Sequence, residues 1–168
     1  MTISMYQAST PRFAAMLRNL STLIDKAEAH CAAKKIEPAA LTSARLFPDM
    51  FAFTRQVQIS CDTAKGAVAR LAGVEIPKHE DTEQSFAELK SRIAKTLDFI
   101  ESVGAGKIDG TEDKEIVLQM RSGERRYKGM QYLLGVAYPN FYFHVTTAYN
   151  ILRHNGVEIG KSDFLGKP

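Results

Sequence analysis

The sequence predicts an all-α protein, an antiparallel four-helix bundle with a small β-hairpin before the last helix, forming one domain over residues 1–168. Two observations carry this. Three long segments place apolar residues at steps of three and four, the mark of a helix with one buried face. Between the third of these and the last helical segment the period shortens to two across a Ser-Gly turn, the mark of a ribbon.

The first helix is expected from about Pro11 to Lys35, with Thr10 as N-cap and Pro11 at the first helical position. Its stripe is Phe13, Met16, Leu17, Leu20, Leu23, Ile24 and Ala27. A short helical piece, "PAALTSARLF", follows. The second long helix, capped by Asp49, carries Met50, Phe53, Val57, Cys61, Ala64, Val68 and Leu71 on one seam and stops at Gly73. The third opens at "DTEQ", where Asp81 and Gln84 have capping-box spacing, and runs through Phe86, Leu89, Ile93, Leu97 and Ile100. Its Lys90, Arg92, Lys95, Asp98 and Glu101 are assigned to solvated faces. "KEIVLQMRSGERRYKGM" is the hairpin, turning at "SGE" and lying across the helices. The last helix begins near Pro139 and ends near Gly156, before a tail, "VEIGKSDFLGKP".

Composition narrows the function classes. Hydrophobic residues make up 45% and charged residues 24%, which is ordinary globular usage. The net charge of +3, from 22 basic and 19 acidic residues, supplies no stripe for nucleic acid. Arg121, Arg125, Arg126 and Lys128 on the hairpin are read as solvated charges. No segment reaches the roughly 20 apolar residues of a membrane helix, and no secretory leader is visible, so the cytoplasm is the expected location. Cys31 and Cys61 make neither a disulfide framework nor a CxxC pair. No Walker or dinucleotide pattern occurs, and no spacing selects a catalytic triad.

The chemistry concentrates in "NFYFHVTTAYNILRHNG". At about 100° per residue, His144 points inward at the border of the apolar face, with Asn140 and Thr147 one turn away. Polar groups converging on an apolar cleft are the usual form of a small-molecule site; a hydrogen-bonded core histidine gives the same pattern. Metal ligation on one helix favours a partner at i±4, where this chain has Asn140 and Ala148. On the second helix Arg55 and Asp62 share a face two turns apart, as a pocket wall or an ion pair. Tyr149 and Arg153 flank the last helix.

The segments "PNFYFHVTTAYNILRHNGVEIGKSDFLG" and "DMFAFTRQVQISCD" resemble the domain-of-unknown-function family nineteen-ninety-three, within the DinB-like group, along essentially the whole chain. The resemblance implies a DinB-like four-helix bundle and a homodimer. Many DinB-like proteins hold a divalent metal through one histidine of the second helix and a His-x-x-x-His pair of the last, and some activate a low-molecular-weight thiol with it. Carried onto this chain, His144 takes the second position of that pair and Asn140 stands at the first. The second helix has no histidine; Gln56, Gln58 and Asp62 are its polar candidates.

The leading expectation is therefore a small-molecule binding or stress-related module, with a pocket of His144, Asn140, Thr147, Gln58, Asp62 and Tyr149. No catalytic residue is assigned, His144 being the best candidate for a general base or sole metal ligand. No cofactor is assigned beyond a weakly bound divalent metal. The alternatives are a metal-dependent thiol-transferring enzyme and a structural or interaction protein. The expected partners are a small molecule and a second copy, without nucleic acid or membrane.

Overall fold

The computed structural model describes residues 2–120 and 122–166. The protein is mostly helical, with one two-stranded antiparallel sheet. In chain order the elements are α1 (Met5–Ala8), α2 (Thr10–Lys34), α3 (Pro38–Thr42), α4 (Phe53–Ala72), α5 (Phe86–Ser102), β1 (Glu115–Met120), β2 (Gly123–Lys128), α6 (Gly129–Tyr132), α7 (Tyr138–His154) and α8 (Lys161–Leu165). A 3₁₀ turn spans Ala105–Lys107.

The apolar stripes become one contiguous core. Phe13, Leu17, Leu20, Leu23, Ile24 and Ala27 of α2 meet Val57, Cys61, Ala64, Val68 and Leu71 of α4 and Leu89, Ile93 and Ile100 of α5. Met16, Met50 and Leu97 are only half-buried. Phe13 sits edge-on to Phe141, with ring centroids 4.9 Å apart, joining α2 to α7. The pairs α2 with α5 and α4 with α7 run antiparallel. Helices α4 and α5 run in the same direction, Phe53 facing Phe86 and Asp62 facing Arg92, which corrects the expected all-antiparallel order. The long strap of residues 73–85 is the reason, since it returns the chain to the starting end of α4. Arg18 of α2 pairs with Glu101 near the end of α5, while Lys90 near the start of α5 reaches back to Asp25 and Glu28. Between α4 and α7, Gln56 meets His144 and Thr63 meets Asn140, again in opposite order.

Several boundaries differ from the expected ones. Thr10 lies inside α2; Ser9 is the N-cap, and its Oγ donates to Met5 O of the extra helix α1 at 2.7 Å. Asp49 caps nothing, since α4 starts after Ala52. Gly73 ends α4 as expected, at φ 71°, in the left-handed region a side chain rarely adopts. The capping box of α5 is Ser85 with Glu88, four residues beyond Asp81 and Gln84; those two belong to the strap joining α4 to α5. Arg92, assigned to a solvated face, is 2% exposed. The tail contains α8, which packs on α2 through Asn19 and Lys26.

The hairpin pairs Glu115 with Lys128 through Met120 with Gly123, so Gly123 and Glu124 of the expected "SGE" turn are in the strand. Arg121 lies outside the described residues; Arg125, Arg126 and Lys128 are exposed, as expected. Lys114, just before the ribbon, donates to Leu71 O at 2.8 Å and ties it to the carbonyl end of α4.

The last helix starts earlier than Pro139. Helix α6 runs into a π-helical turn, Leu133–Ala137, and then into α7. Pro139 explains the turn. It has no N–H to give the carbonyl of Gly135, and its ring would press on that carbonyl in a regular α-helix. The wider turn, in which Tyr138 N–H donates to Leu133 O, relieves the clash and lets the helix continue.

Candidate functional site

His144 is buried, and its Nδ1 lies 2.7 Å from Gln56 Oε1. Gln56 Nε2 donates to Phe51 O at 3.0 Å, which fixes the amide so that Oε1 faces the ring. His144 Nδ1 therefore carries the proton and donates, leaving the lone pair on Nε2. Burial, then the Arg55 charge, push the His144 pKa down, so the ring is neutral near pH 7. Phe143 stands at 90° to it with centroids 5.2 Å apart. Thr147 is turned to its own helix, donating to Phe143 O at 2.7 Å. Tyr149 lies apart, edge-on to Phe164 of α8 at 5.7 Å.

Gln58 and Asp62 enter an ionic network around Arg92. The guanidinium sits 2.9 Å from both Asp62 Oδ1 and Asp81 Oδ1 and 3.0 Å from Glu83 Oε1, and it donates to Glu80 O at 3.0 Å. Lys65 joins Asp62 Oδ1 at 3.0 Å. Gln58 Nε2 donates to Glu83 Oε2 at 2.8 Å. Burial alone would raise the Glu83 pKa, but the hydrogen bonds from Gln58 and Arg92 outweigh it and hold it below the ordinary value. Arg55 and Asp62 do not pair; Arg55 meets Asp81 and Gln58 instead. This network staples the strap onto α4 and α5. It accounts for Arg92, whose charge forced a surface reading from sequence.

Asp62 also lines, together with Asn140, the remaining predicted residue, a groove of about 490 Å³. One wall is α4, with Asp62, Thr63 and Arg70; the second is β1, with Val117 to Met120; the third is the π turn and the start of α7, with Tyr132, Val136, Ala137 and Asn140. Asn140 Nδ2 donates to Thr63 Oγ1 at 2.8 Å, bridging two of the walls. Arg70 Nη1 donates to Tyr132 Oη at 3.2 Å, with the guanidinium 6.0 Å from the ring centroid. Burial raises the Tyr132 pKa, which keeps the phenol protonated. The structure thus disperses the six predicted residues over four places, and His144 does not line this groove.

A model of the domain-of-unknown-function family DUF1993 matches residues 5–165. The chain belongs to the DUF1993 family. A DinB family member protein from Shewanella denitrificans shares 43% identity and superposes with a TM-score of 0.90, over 97% of this chain and 92% of that one. No curated protein matches the chain.

Within this DUF1993 fold, a catalytic divalent metal does not fit the side chains. Among the described residues no three His, Cys, Asp or Glu side chains gather as ligands. Asp62 is already held by Lys65 and Arg92, and His144, with its free Nε2, is a single ligand where at least three are needed. Cys61 is no substitute nucleophile, because burial drives its thiol to about 12.

Sequence reasoning missed Arg70, Tyr132 and Gly66. One signal was available. Gly66 interrupts the middle of α4, where glycine costs about 1 kcal/mol relative to alanine, so its presence calls for a packing reason. The reason is Arg70, whose Nη1 occupies the space a Cβ at Gly66 would fill.

Proposed function

We propose that this chain is a cytoplasmic small-molecule binding module on a DinB-like four-helix bundle, with its ligand in the groove between α4, the hairpin and the π turn. The observation that carries the reading is the groove itself. About 490 Å³ is within the usual range for small-molecule sites, and apolar walls with a few fixed polar groups are their usual lining. The π turn beside it is a feature found frequently at functional sites. Asp62 and Asn140 are the predicted pocket residues that serve here. His144 acts as a strut that ties α7 to α4 through Gln56.

The test is amide chemical-shift mapping with a neutral amphipath, octanamide. Saturable shifts confined to Thr63, Val117, Met120, Val136 and Asn140 are expected. Shifts scattered over the surface, or none at millimolar ligand, overturn the reading.

The homodimer keeps a local argument of its own. Phe51 and Phe143 are 53% and 57% exposed, and Gln56 and His144 link them into one corner: Gln56 bonds Phe51 O and His144, whose ring abuts Phe143. We read this aromatic corner as the face on which two copies meet.

A further inference from the structure

We infer that the groove recognises a carboxylate-bearing amphipathic ligand, with Arg70 as the anchor for the anion. The inference rests on the groove being the binding site and adds the chemical class it takes.

Arg70 is half-buried, and no carboxylate among the described residues pairs with it. A partly desolvated guanidinium normally finds a carboxylate; Arg92 of α5 finds three. Arg70 is instead held in place by neutral groups, the Tyr132 hydroxyl on one side and the gap over Gly66 on the other. A guanidinium fixed in position but left without its counter-charge is suited to bind an oxyanion, and its remaining N–H groups match a planar carboxylate.

The surrounding charges agree. Asp62 is the carboxylate lining the groove, and its Oδ1 is shared by Lys65 and Arg92, so the local balance stays positive. Val117, Leu118, Met120, Val136 and Ala137 then give an apolar wall for a hydrocarbon body. Val117 and Met120 are 38% and 45% exposed, surface that such a body would cover.

Gly66 makes the test clean. A Cβ there meets only the far end of the Arg70 side chain, so Gly66→Ala displaces the guanidinium without touching the core. The melting temperature of that variant is expected to hold or rise. The experiment is calorimetric titration of wild type, Gly66→Ala and Arg70→Met with octanoate and with octanamide at equal ionic strength. Wild type is expected to bind octanoate at least about tenfold more tightly than octanamide. Both variants are expected to bring the two ligands within about twofold of each other. Equal affinities in wild type, or a preference surviving in both variants, overturns the inference and leaves the groove reading intact. Failure of both ligands to bind wild type overturns the groove reading and the inference with it.

Discussion

At the scale of single residues, this protein packs two buried polar centres against α4, Arg92 from α5 and His144 from α7, and treats them oppositely. Arg92 is surrounded by carboxylates and works as a staple. His144 is kept neutral by burial and by the nearby Arg55 charge. Its lowered pKa has a definite consequence for stability. The unfolded chain takes up the proton first, near pH 6.5, so the contribution of the neutral ring is complete above that pH. It is lost as the pH falls from there through the folded pKa. His79, whose pKa is lowered chiefly by burial, adds a loss of the same sign. Urea unfolding at pH 7.5 and pH 5 should therefore show wild type weakening toward acid. His144→Gln should show a smaller drop, and an unchanged drop would refute the neutral, buried ring.

At the scale of elements, local capping and close backbone approaches decide where each helix starts. The α5 cap shows how a plausible signal is outcompeted. Asp81 and Gln84 have the right spacing, yet Asp81 is committed to Arg92 and Arg55, and Ser85 with Glu88 closes the helix instead. At the hairpin exit, Gly129 starts α6 so close to Thr111 that a Cβ there would collide with the Thr111 carbonyl, with its carbon 3.1 Å away. Backbone cannot yield as the Arg70 side chain can. Gly129→Ala should thus cost about 1–3 kcal/mol by overpacking, read from the denaturation midpoint at constant slope, whereas Gly66→Ala should not. A Gly129→Ala protein as stable as wild type would mean the ribbon is not clamped there.

At the scale of the whole molecule, the antiparallel pairs α2 with α5 and α4 with α7 build a core closed to solvent and leave the aromatic corner uncovered. If two copies meet at that corner, wild type sediments as a dimer and Phe143→Glu as a monomer with unchanged circular dichroism. Wild type sedimenting as a monomer at micromolar concentration would remove the dimer, and the groove would be unaffected. A chain of this composition needs no partner to bury its stripes, so the corner concerns assembly rather than folding.

The helical class, the α2 and α4 stripes, the Gly73 stop and the hairpin were all legible in the residues, because each follows from periodicity or turn chemistry within a few positions along the chain. The same holds for His144 facing inward, which one helical wheel suffices to show. What surrounds it was not legible. The groove joins α4, β1 and the π turn, with Thr63 and Asn140 bonded across 77 residues of sequence, and periodicity within a segment does not say which faces of distant segments meet. Tertiary packing alone therefore decided that Asp62 and Asn140 share a site, that Arg92 is buried among carboxylates, and that Arg70 pairs with no carboxylate among the described residues. The physical reason is that a side chain's charge sets only the cost of burying it. The partners that offset that cost, or are missing, arrive from other elements when the helices pack.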